Sequence, residues 1–248
     1  MLVVSAVIAL VLAVLTYRLL PVDQTRSKER YRELLGSLPA LVRRYPLLRE
    51  GMFVGACWFF VFSMLWITLV VAVAGPPLDL NAAQAGMFGF AGALGLFATR
   101  AAGRLADRRG ARPVIAGGFL LVIAGVAIIL LASSSIPGIA VGVVLFDIGC
   151  FSAQVANQTR LLAIDAASRS RIYSIYMLAY YAAGAVGSIV GPVILERHGW
   201  SAVCKLAVVI AVVGLGVTLM SNLTARKARS KDGIPELSES AGSDGKGR

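Results

Sequence analysis

The sequence has few of the groups that support chemistry in water. It contains one histidine and three cysteines, and 15% of its residues are charged, against about 25% in a typical soluble domain. The three cysteines have no paired spacing and His198 has no nearby partner, so neither a disulfide nor a metal site is expected. No Ser-His-Asp, HExxH or Cys-His set is present. These deficits exclude a water-soluble fold and argue against an enzyme or a bound cofactor.

Hydrophobic residues instead make up 58% of the chain. They form seven nearly uncharged runs, each close to or above the roughly 20 residues that a helix needs to cross the hydrocarbon of a bilayer. Inside lipid, every peptide group must find its hydrogen-bond partner within its own segment, so such runs are helices. The sequence therefore predicts an all-α, polytopic membrane protein with seven transmembrane helices, at 1–17, 52–74, 81–99, 113–132, 136–159, 172–195 and 200–223.

Acidic residues are also scarce, and the net charge is +11. The basic residues alternate by side: the segment 18–50, the two connections near 100–112 and 160–171, and the tail after Asn222 hold 22 of them, and the remaining connections hold 2. Such an excess marks the cytoplasmic side of a membrane. It predicts a multi-pass membrane protein with its N-terminus outside and its C-terminus inside, and no nucleic-acid partner is needed to explain the charge.

The same pattern divides the chain into segments. No basic residue precedes the first run, so it is interpreted as a retained helix rather than a cleaved signal. The spacing of Tyr31, Leu34, Leu35 and Leu38 predicts a short helix at the membrane surface that Pro39 and Pro46 break. The predicted organisation is a transmembrane helix at 1–17, a basic cytoplasmic linker at 18–51, a six-helix bundle at 52–223 and a disordered cytoplasmic tail at 224–248.

Polar residues concentrate in the fifth run. Asp147 is the one charged residue near the middle of a run, and Gln154 and Gln158 share its helical face, with Asn157 beside them. Intramembrane polar groups usually face a cavity or a partner. Asp147 is either part of a proton or substrate pathway or a hydrogen-bonded carboxyl that holds two helices together.

Aromatic residues form a second feature. Trp58, Phe62 and Trp66 recur every four residues and share one face of the second run. This face either lines an organic-substrate cavity or packs against another helix. Tyr180 is one of four tyrosines in the inner half of the sixth run, where they serve either as interfacial anchors or as cavity hydroxyls.

Glycines in the third and sixth runs predict close helix contacts. Small residues let helix backbones approach, which suits both static packing and sliding between states. In the sixth run these residues are Gly184, Gly187, Gly191 and the following Pro192, and packing is the simpler interpretation of each.

The connection between the third and fourth runs carries a specific motif. It reads Gly103-Arg104-Leu105-Ala106-Asp107-Arg108-Arg109-Gly110-Ala111-Arg112-Pro113. Gly103 is expected to permit a tight helix exit, Gly110 a turn and Pro113 a first helical turn. This segment resembles the signature loop of the major facilitator superfamily, and the resemblance implies a cytoplasmic gate formed by Gly103, Arg104, Asp107, Arg108, Gly110 and Arg112.

The resemblance also implies an architecture. Members of that superfamily have twelve helices in two halves, with substrate at the midplane between them. If the motif is the second copy, the seven runs correspond to helices six to twelve, which is the C-terminal half of the fold plus one extra helix. The expected partners are then the lipid bilayer, a small-molecule substrate, protons, and an N-terminal half that is missing from this sequence.

Further residues resemble those of bacterial drug:proton antiporters. They are the stretch Asn157-Gln158-Thr159-Arg160 and the pattern Gly187-x-x-x-Gly191-Pro192, which those antiporters carry on helix five and this chain carries on the position of helix eleven. The resemblance implies a proton-coupled secondary transporter that works by alternating access and, lacking half of its cavity wall, is not expected to transport alone. The alternative is a non-transporting seven-helix protein, receptor-like or a remnant. A retinal protein is disfavoured because Lys205, the one lysine in a run, lies near its outer end.

Overall fold

The predicted helices account for the architecture. The structure is a computed structural model that describes residues 2–19 and 31–231, and it contains no strand in those two ranges. The expectation of an all-α polytopic membrane fold is confirmed. The helices are α1 (Leu2–Leu19), α2 (Tyr31–Arg44), α3 (Pro46–Val73), α4 (Ala82–Arg109), α5 (Ala111–Leu131), α6 (Ile136–Leu162) and α7 (Arg169–Lys231).

Helix α7 consists of two arms that meet at Gly199. This glycine has φ 77° and ψ 175°, which is non-helical and interrupts the hydrogen-bond ladder. Tyr176, before the turn, lies against Gly55, and Ser221, after it, donates a hydrogen bond to Glu50. Both ends of α7 thus contact the same end of α3. The arms α7a (169–198) and α7b (200–231) are therefore antiparallel.

Among the described residues, five helices are long and apolar enough to cross a membrane by length and composition: Pro46–Val73, Ala82–Arg109, Ala111–Leu131, Ile136–Leu162 and Arg169–Ser221. The last of these contains both arms of α7, each of which reaches the roughly 20 residues that a crossing needs. Helix α1, with 18 residues, is at the lower limit of that length.

The chain divides into two compact units, Met1–Ser37 and Leu38–Arg248. The first unit contains α1, whose described side chains are exposed and mostly apolar, including Leu10, Leu12 and Leu19. The second unit contains one continuous hydrophobic core formed by α3, α4, α5, α6 and both arms of α7. All of the sites described below lie in this second unit.

Helices α5 and α6 pack closely in the second unit. A Cβ atom added to Gly118 would lie 2.7 Å from the carbonyl oxygen of Gly149, and one added to Gly125 would lie 2.6 Å from that of Gly142. Glycine at these four positions lets the two backbones touch directly. Because α5 has no polar side chain between Pro113 and Leu131, its remaining surface is free to face lipid.

Local signals explain where several helices begin. Asn81 and Gln84 form a capping box at the start of α4, with both reciprocal hydrogen bonds at 3.0 Å. The Ser135 hydroxyl accepts a hydrogen bond from the Gly138 amide at 3.3 Å and caps α6. Pro46 occupies the first turn of α3, where its missing amide hydrogen costs nothing.

Two sequence expectations about helix ends are wrong. Pro39 does not break α2, which continues to Arg44. The Pro39 ring is exposed, and the burial of Leu41 beyond it offsets the lost hydrogen bond. The expected disordered tail does not begin at residue 224, since α7 continues to Lys231. Residues 20–30 of the expected linker and 232–248 of the expected tail lie outside the described residues.

Candidate functional site

Asp147 lies near the middle of α6 and is 2% exposed. Its Oδ1 atom accepts a hydrogen bond of 3.1 Å from the Trp66 indole nitrogen of α3. No lysine, arginine or histidine in the described part of the chain forms an ion pair with it. A buried carboxyl with one uncharged donor and no cation is uncommon, because burial of an unpaired charge is costly.

Helix α4 completes the surroundings of Asp147. Gly92 faces the Asp147 Oδ2 atom, and a Cβ atom added at Gly92 would also lie 2.7 Å from Cζ2 of Trp66. One turn further along α4, a Cβ atom added at Gly95 would lie 2.9 Å from the Cβ atom of Asp147. Three helices thus meet at one point, which we call the Asp147 junction: Trp66 of α3, Gly92 and Gly95 of α4, and Asp147 of α6. The glycines leave the room that the carboxyl and the indole occupy.

The aromatic face predicted on α3 is divided between two environments. Trp58 is 1% exposed and packs in the core, where Tyr180 approaches it with ring centroids 5.0 Å apart. Phe62 stacks on Phe146 of α6 at 6.1 Å. Trp66 is half-buried and forms part of the wall of an open groove between α3 and α7a. One end of the face therefore packs against other helices and the other end borders a cavity.

The groove has a volume of about 640 Å³. Its wall includes the rings of Phe59, Trp66 and Tyr181 and the hydroxyls of Ser63 and Ser188, and none of its lining side chains is charged. It touches the Asp147 junction through Trp66.

The other polar residues of α6 do not gather at Asp147. Gln154 donates to the Tyr180 hydroxyl at 3.5 Å, and Tyr180 stacks on Phe59 with ring centroids 3.8 Å apart. Gln158 lines a separate cavity of about 470 Å³ beside the connection from α6 to α7. Asn157 is fully buried and donates to the Gly51 carbonyl oxygen at 2.9 Å. The three polar residues that the sequence analysis grouped with Asp147 on α6 therefore lie in three separate environments.

At one end of the bundle lies a group of charged residues that the sequence analysis missed. The Glu50 carboxylate pairs with Arg160 at 2.6 Å and with Arg112 at 3.3 Å, and the Ser221 hydroxyl donates to it. Arg160 also donates to Asn157 at 2.9 Å. We call this group, formed by Glu50, Arg112, Asn157, Arg160 and Ser221, the Glu50 cluster. Through it the ends of α3, α5, α6 and α7b meet.

Glu50 carried one signal that could have identified it. It is the one acidic residue between Glu33 and the start of the second apolar run, in a segment otherwise rich in arginine. A carboxylate placed where a membrane helix begins is expected to pair with a cation from a neighbouring helix end. The partners themselves could not be identified, because the sequence does not show which ends are adjacent.

The signature segment differs from the expectation in one respect. Gly103 does not mark a helix exit, since α4 continues to Arg109 and turns at Gly110, which has φ 84°. Five of the next six residues are good helix formers and outweigh the roughly 1 kcal/mol that one glycine costs in a helix. Arg104, Asp107 and Arg108 are exposed, and Asp107 makes no hydrogen bond or ion pair with any described residue. Arg112, in the first turn of α5, belongs instead to the Glu50 cluster.

The glycines of α7a lie against α3. Gly184 faces Phe59, Gly187 faces the Phe60 carbonyl group, and Gly191 approaches Met64 and Thr68, whose Cγ atoms would lie 2.9 Å from an added Cβ atom. Pro192 is exposed within the same helix. These contacts bring α3 and α7a close together along the floor of the groove.

The connection from α6 to α7 contains a second hydrogen-bonded carboxylate, Asp165. It accepts hydrogen bonds from the Ala167 amide at 2.9 Å and the Tyr45 hydroxyl at 3.1 Å. A hydrogen bond from Ser168, followed by those from Ala167 and Tyr45, holds the pKa of Asp165 below its usual value. Elsewhere in ranges 2–19 and 31–231, no three His, Cys, Asp or Glu residues are close enough to share a metal ion.

Known proteins resemble the chain in sequence. A family model described as Major Facilitator Superfamily matches residues 1–168. "Uncharacterized transporter YgaY" of Escherichia coli O157:H7 is 29% identical over 212 residues, which cover 86% of this chain and 54% of the relative. "Probable transporter SCO4007" of Streptomyces coelicolor is 30% identical over 215 residues, which cover 86% of this chain and 50% of the relative. The chain spans about half the length of the curated relatives it matches.

A solved structure shows the same fold. The protein described as "In meso crystal structure of the POT family transporter PepTSo" superposes with a TM-score of 0.63 at 16% identity, over 72% of this chain and 38% of that one. At this identity the likeness concerns the arrangement of the helices alone.

Proposed function

Because the chain belongs to the major facilitator superfamily, we propose that it takes part in proton-coupled transport of a small molecule across the bacterial inner membrane, with Asp147 as the proton-binding group. The observation that carries the proposal is the Asp147 junction. Asp147 is a buried carboxyl near mid-membrane, without a cation partner in the described chain, and its one hydrogen-bond donor borders the groove. An ionisable residue at that depth is expensive and usually functional, and no fixed counter-ion among the described residues holds this one in its charged form.

The proposed mechanism is alternating access, in which one lobe rocks against another around a central site. Helices α3 to α7b supply one lobe and correspond, in chain order, to helices seven to twelve of the family, and α1 corresponds to helix six. Two observations support a second lobe. The matched residues make up 54% and 50% of two relatives, and α4 exposes the large apolar side chains Met87, Phe90 and Phe97.

The signature segment takes the role of a gate in this proposal. Asp107, Arg104 and Arg108 are exposed at one end of α4 and are available to a neighbouring lobe. Arg112 is fixed by Glu50 and cannot serve both partners with the same geometry. We therefore assign Asp107 to the gate and Arg112 to the stability of the lobe. Asp107→Asn is expected to reduce transport without loss of protein from the membrane.

Orientation and direction belong to the same proposal. The Glu50 cluster joins the ends of α3, α5, α6 and α7b, all of which adjoin segments rich in basic residues. The positive-inside rule places that end in the cytoplasm. Exchange of substrate for protons follows from the likeness of 157–160 and 187–192 to drug:proton antiporters.

The proton role is tested in the bacterium that encodes the chain, with Asp147→Asn introduced into the chromosome. Inside-out membrane vesicles are loaded with a pH-sensitive dye, and pools of small cellular metabolites are added. A pool that moves protons in wild-type vesicles identifies the substrate, and the response is expected to fall at least tenfold in the variant. Asp79→Asn, at an exposed position in the connection after α3, is the matched control. A wild-type response from Asp147→Asn would refute the proton role.

A further inference from the structure

The groove between α3 and α7a has a definite chemical character. Three rings, Phe59, Trp66 and Tyr181, offer flat apolar surfaces, and no charged side chain lines the cavity. The Ser188 hydroxyl donates to the Ala185 carbonyl oxygen at 2.8 Å, so its lone pairs remain to accept a hydrogen bond. A volume of about 640 Å³ lies within the range of small-molecule sites. The groove therefore suits an uncharged ligand with a flat apolar face and one hydrogen-bond donor.

Asp147 itself does not face this groove. Its carboxyl is 2% exposed and is covered by the Trp66 indole, whose nitrogen lies 3.1 Å from Asp147 Oδ1. One side of the indole thus borders the cavity, and its N–H group points to the carboxyl. A ligand can reach the carboxyl only through a movement of Trp66.

That movement is limited from behind. A Cβ atom at Gly92 would lie 2.7 Å from Cζ2 of Trp66, so the indole already rests on the α4 backbone. Interiors packed to this density do not absorb a displaced ring without a shift of its other contacts. A ligand pressing on the groove side of Trp66 therefore alters its hydrogen bond to Asp147.

On these grounds we propose that Trp66 links the two parts of the proposed transport cycle: an uncharged, flat apolar ligand binds in the α3–α7a groove against the indole, and its presence changes the hydrogen bond that the indole donates to Asp147. The inference rests on the proposed role of Asp147 as the proton-binding group. Trp66 acts here as a positioning residue, because the proton is exchanged at Asp147 and not at the indole.

Among the groups near Asp147, Trp66 is the main polar group that acts on its carboxyl. Helix α6 contributes the buried Cys150 thiol, one turn away. Helix α4 presents Gly92 and Gly95, and α5 has no ionisable residue after Arg112. Helix α7a contributes the Tyr181 phenol at the groove and the buried Tyr180 phenol, and Lys205 of α7b is exposed near the Gly199 turn. A change in the Trp66 hydrogen bond is therefore expected to be detectable at the carboxyl.

The test places a group in the groove covalently, so that no substrate has to be known. The purified chain carrying Ser188→Cys is reacted with N-ethylmaleimide, which is uncharged, and the three native cysteines are buried and protected. Ser201→Cys, reacted in the same way, is the matched control at an exposed position next to the Gly199 turn. Ser63→Cys, on the opposite wall of the groove, repeats the experiment if the first variant does not fold.

Two signals are recorded. The infrared carbonyl band of the protonated Asp147 carboxyl, assigned with Asp147→Asn, is followed against pH. The indole N–H resonance of Trp66, assigned with Trp66→Phe, is followed by nuclear magnetic resonance. Loss of one hydrogen bond is worth about one pH unit in the midpoint of the carboxyl band. The groove adduct is expected to produce a shift of that size, in the same sense as Trp66→Phe, and to move the Trp66 resonance, whereas the Ser201→Cys adduct does neither.

The outcomes separate this inference from the proposed function. A carboxyl band that titrates but does not respond to the groove adduct overturns the role of Trp66 and leaves the proton role of Asp147 intact. A carboxyl band that shows no titration across the accessible pH range overturns the proton role, and the linkage with it. A midpoint shift of equal size in both adducts also overturns the linkage, since it would not depend on the groove.

Discussion

Asp147 and Arg160 are two buried ionisable residues on the same helix, and they are treated in opposite ways. The Arg160 side chain is 8% exposed and is matched by the Glu50 carboxylate and the Asn157 amide oxygen. Asp147 is 2% exposed and has one uncharged donor, Trp66. The first arrangement fixes a charge, and the second is the one that we propose to bind and release a proton. In this bundle we therefore expect the paired charge of Arg160 to serve stability and the Asp147 carboxyl, which has no cation partner among the described residues, to serve transport.

The comparison extends to their neighbours. The Glu50 cluster joins the ends of four helices through charges, so it is expected to bear on the stability of the fold. The Asp147 junction joins three helices through one hydrogen bond and close glycine contacts, and it borders a cavity. It is expected to bear on transport with little effect on stability. Substitutions at the two places test this division.

The largest effect is expected from Glu50→Ala. The change leaves the Arg160 guanidinium buried without its carboxylate, and loss of one partner of a buried pair costs about 3–5 kcal/mol. Thermal unfolding of the purified chain in detergent should show a correspondingly large fall in melting temperature. Glu196→Ala, at an exposed position, is the matched control and is expected to change stability by less than about 0.5 kcal/mol. Equal melting temperatures for the two variants would remove the structural role of the cluster.

A smaller effect is expected from Gly118→Ala. This change tests the packing of α5 against α6, the helix that carries both Asp147 and Arg160. Its added Cβ atom would lie 2.7 Å from the Gly149 carbonyl oxygen and must force α5 and α6 apart, at a cost of about 1–3 kcal/mol. Gly117→Ala is the control on the same helix, where a Cβ atom meets nothing within 4 Å. There, higher helix propensity is expected to leave stability unchanged or slightly raised. A loss of stability in Gly117→Ala as large as that in Gly118→Ala would contradict the packing argument.

Asp147→Asn tests the other half of the comparison, namely that the Asp147 junction contributes little to stability. Asparagine keeps an oxygen that can accept the Trp66 hydrogen bond, so the melting temperature should change by less than the equivalent of about 1 kcal/mol. The pH dependence of Trp66 fluorescence, identified by comparison with Trp66→Phe, should disappear. If Asp147→Asn instead lowers stability as much as Glu50→Ala does, the carboxyl serves as a structural link between helices.

Much of the fold follows from the sequence because its signals are local. Apolar run length predicts the helices, and the capping pair Asn81 and Gln84 and the turn at Gly110 act within a few residues. Pro39 and Gly103 show the limit of such signals, because burial of Leu41 and a run of good helix formers outweigh one unfavourable residue.

The candidate site was predictable in part. Asp147 could be singled out because it is the one charged residue near the middle of an apolar run. The energetic cost of burying a carboxylate in lipid can be judged without knowing the fold. The pairing of Asp147 with Trp66, and of Glu50 with Arg112 and Arg160, joins residues far apart in the chain. Helical periodicity grouped Gln154, Asn157 and Gln158 with Asp147, but neighbouring helices cover each of these side chains differently. The role of a residue on a helix face therefore depends on which side chains of the neighbouring helices lie against it.

The smallest effect is expected at Asp165, a carboxylate that resembles neither Asp147 nor Glu50 because it lies in a connection. Hydrogen bonds from Ser168, Ala167 and Tyr45 hold its folded-state pKa below the unfolded value, so it contributes stability above the unfolded pKa of about 3.9, and this contribution is lost as the pH falls through the folded pKa. Asp165→Asn should therefore lower the melting temperature slightly near pH 7 and not at all in strong acid. A difference from wild type that stays constant over that pH range would show that the ionised carboxylate is not what the three donors stabilise.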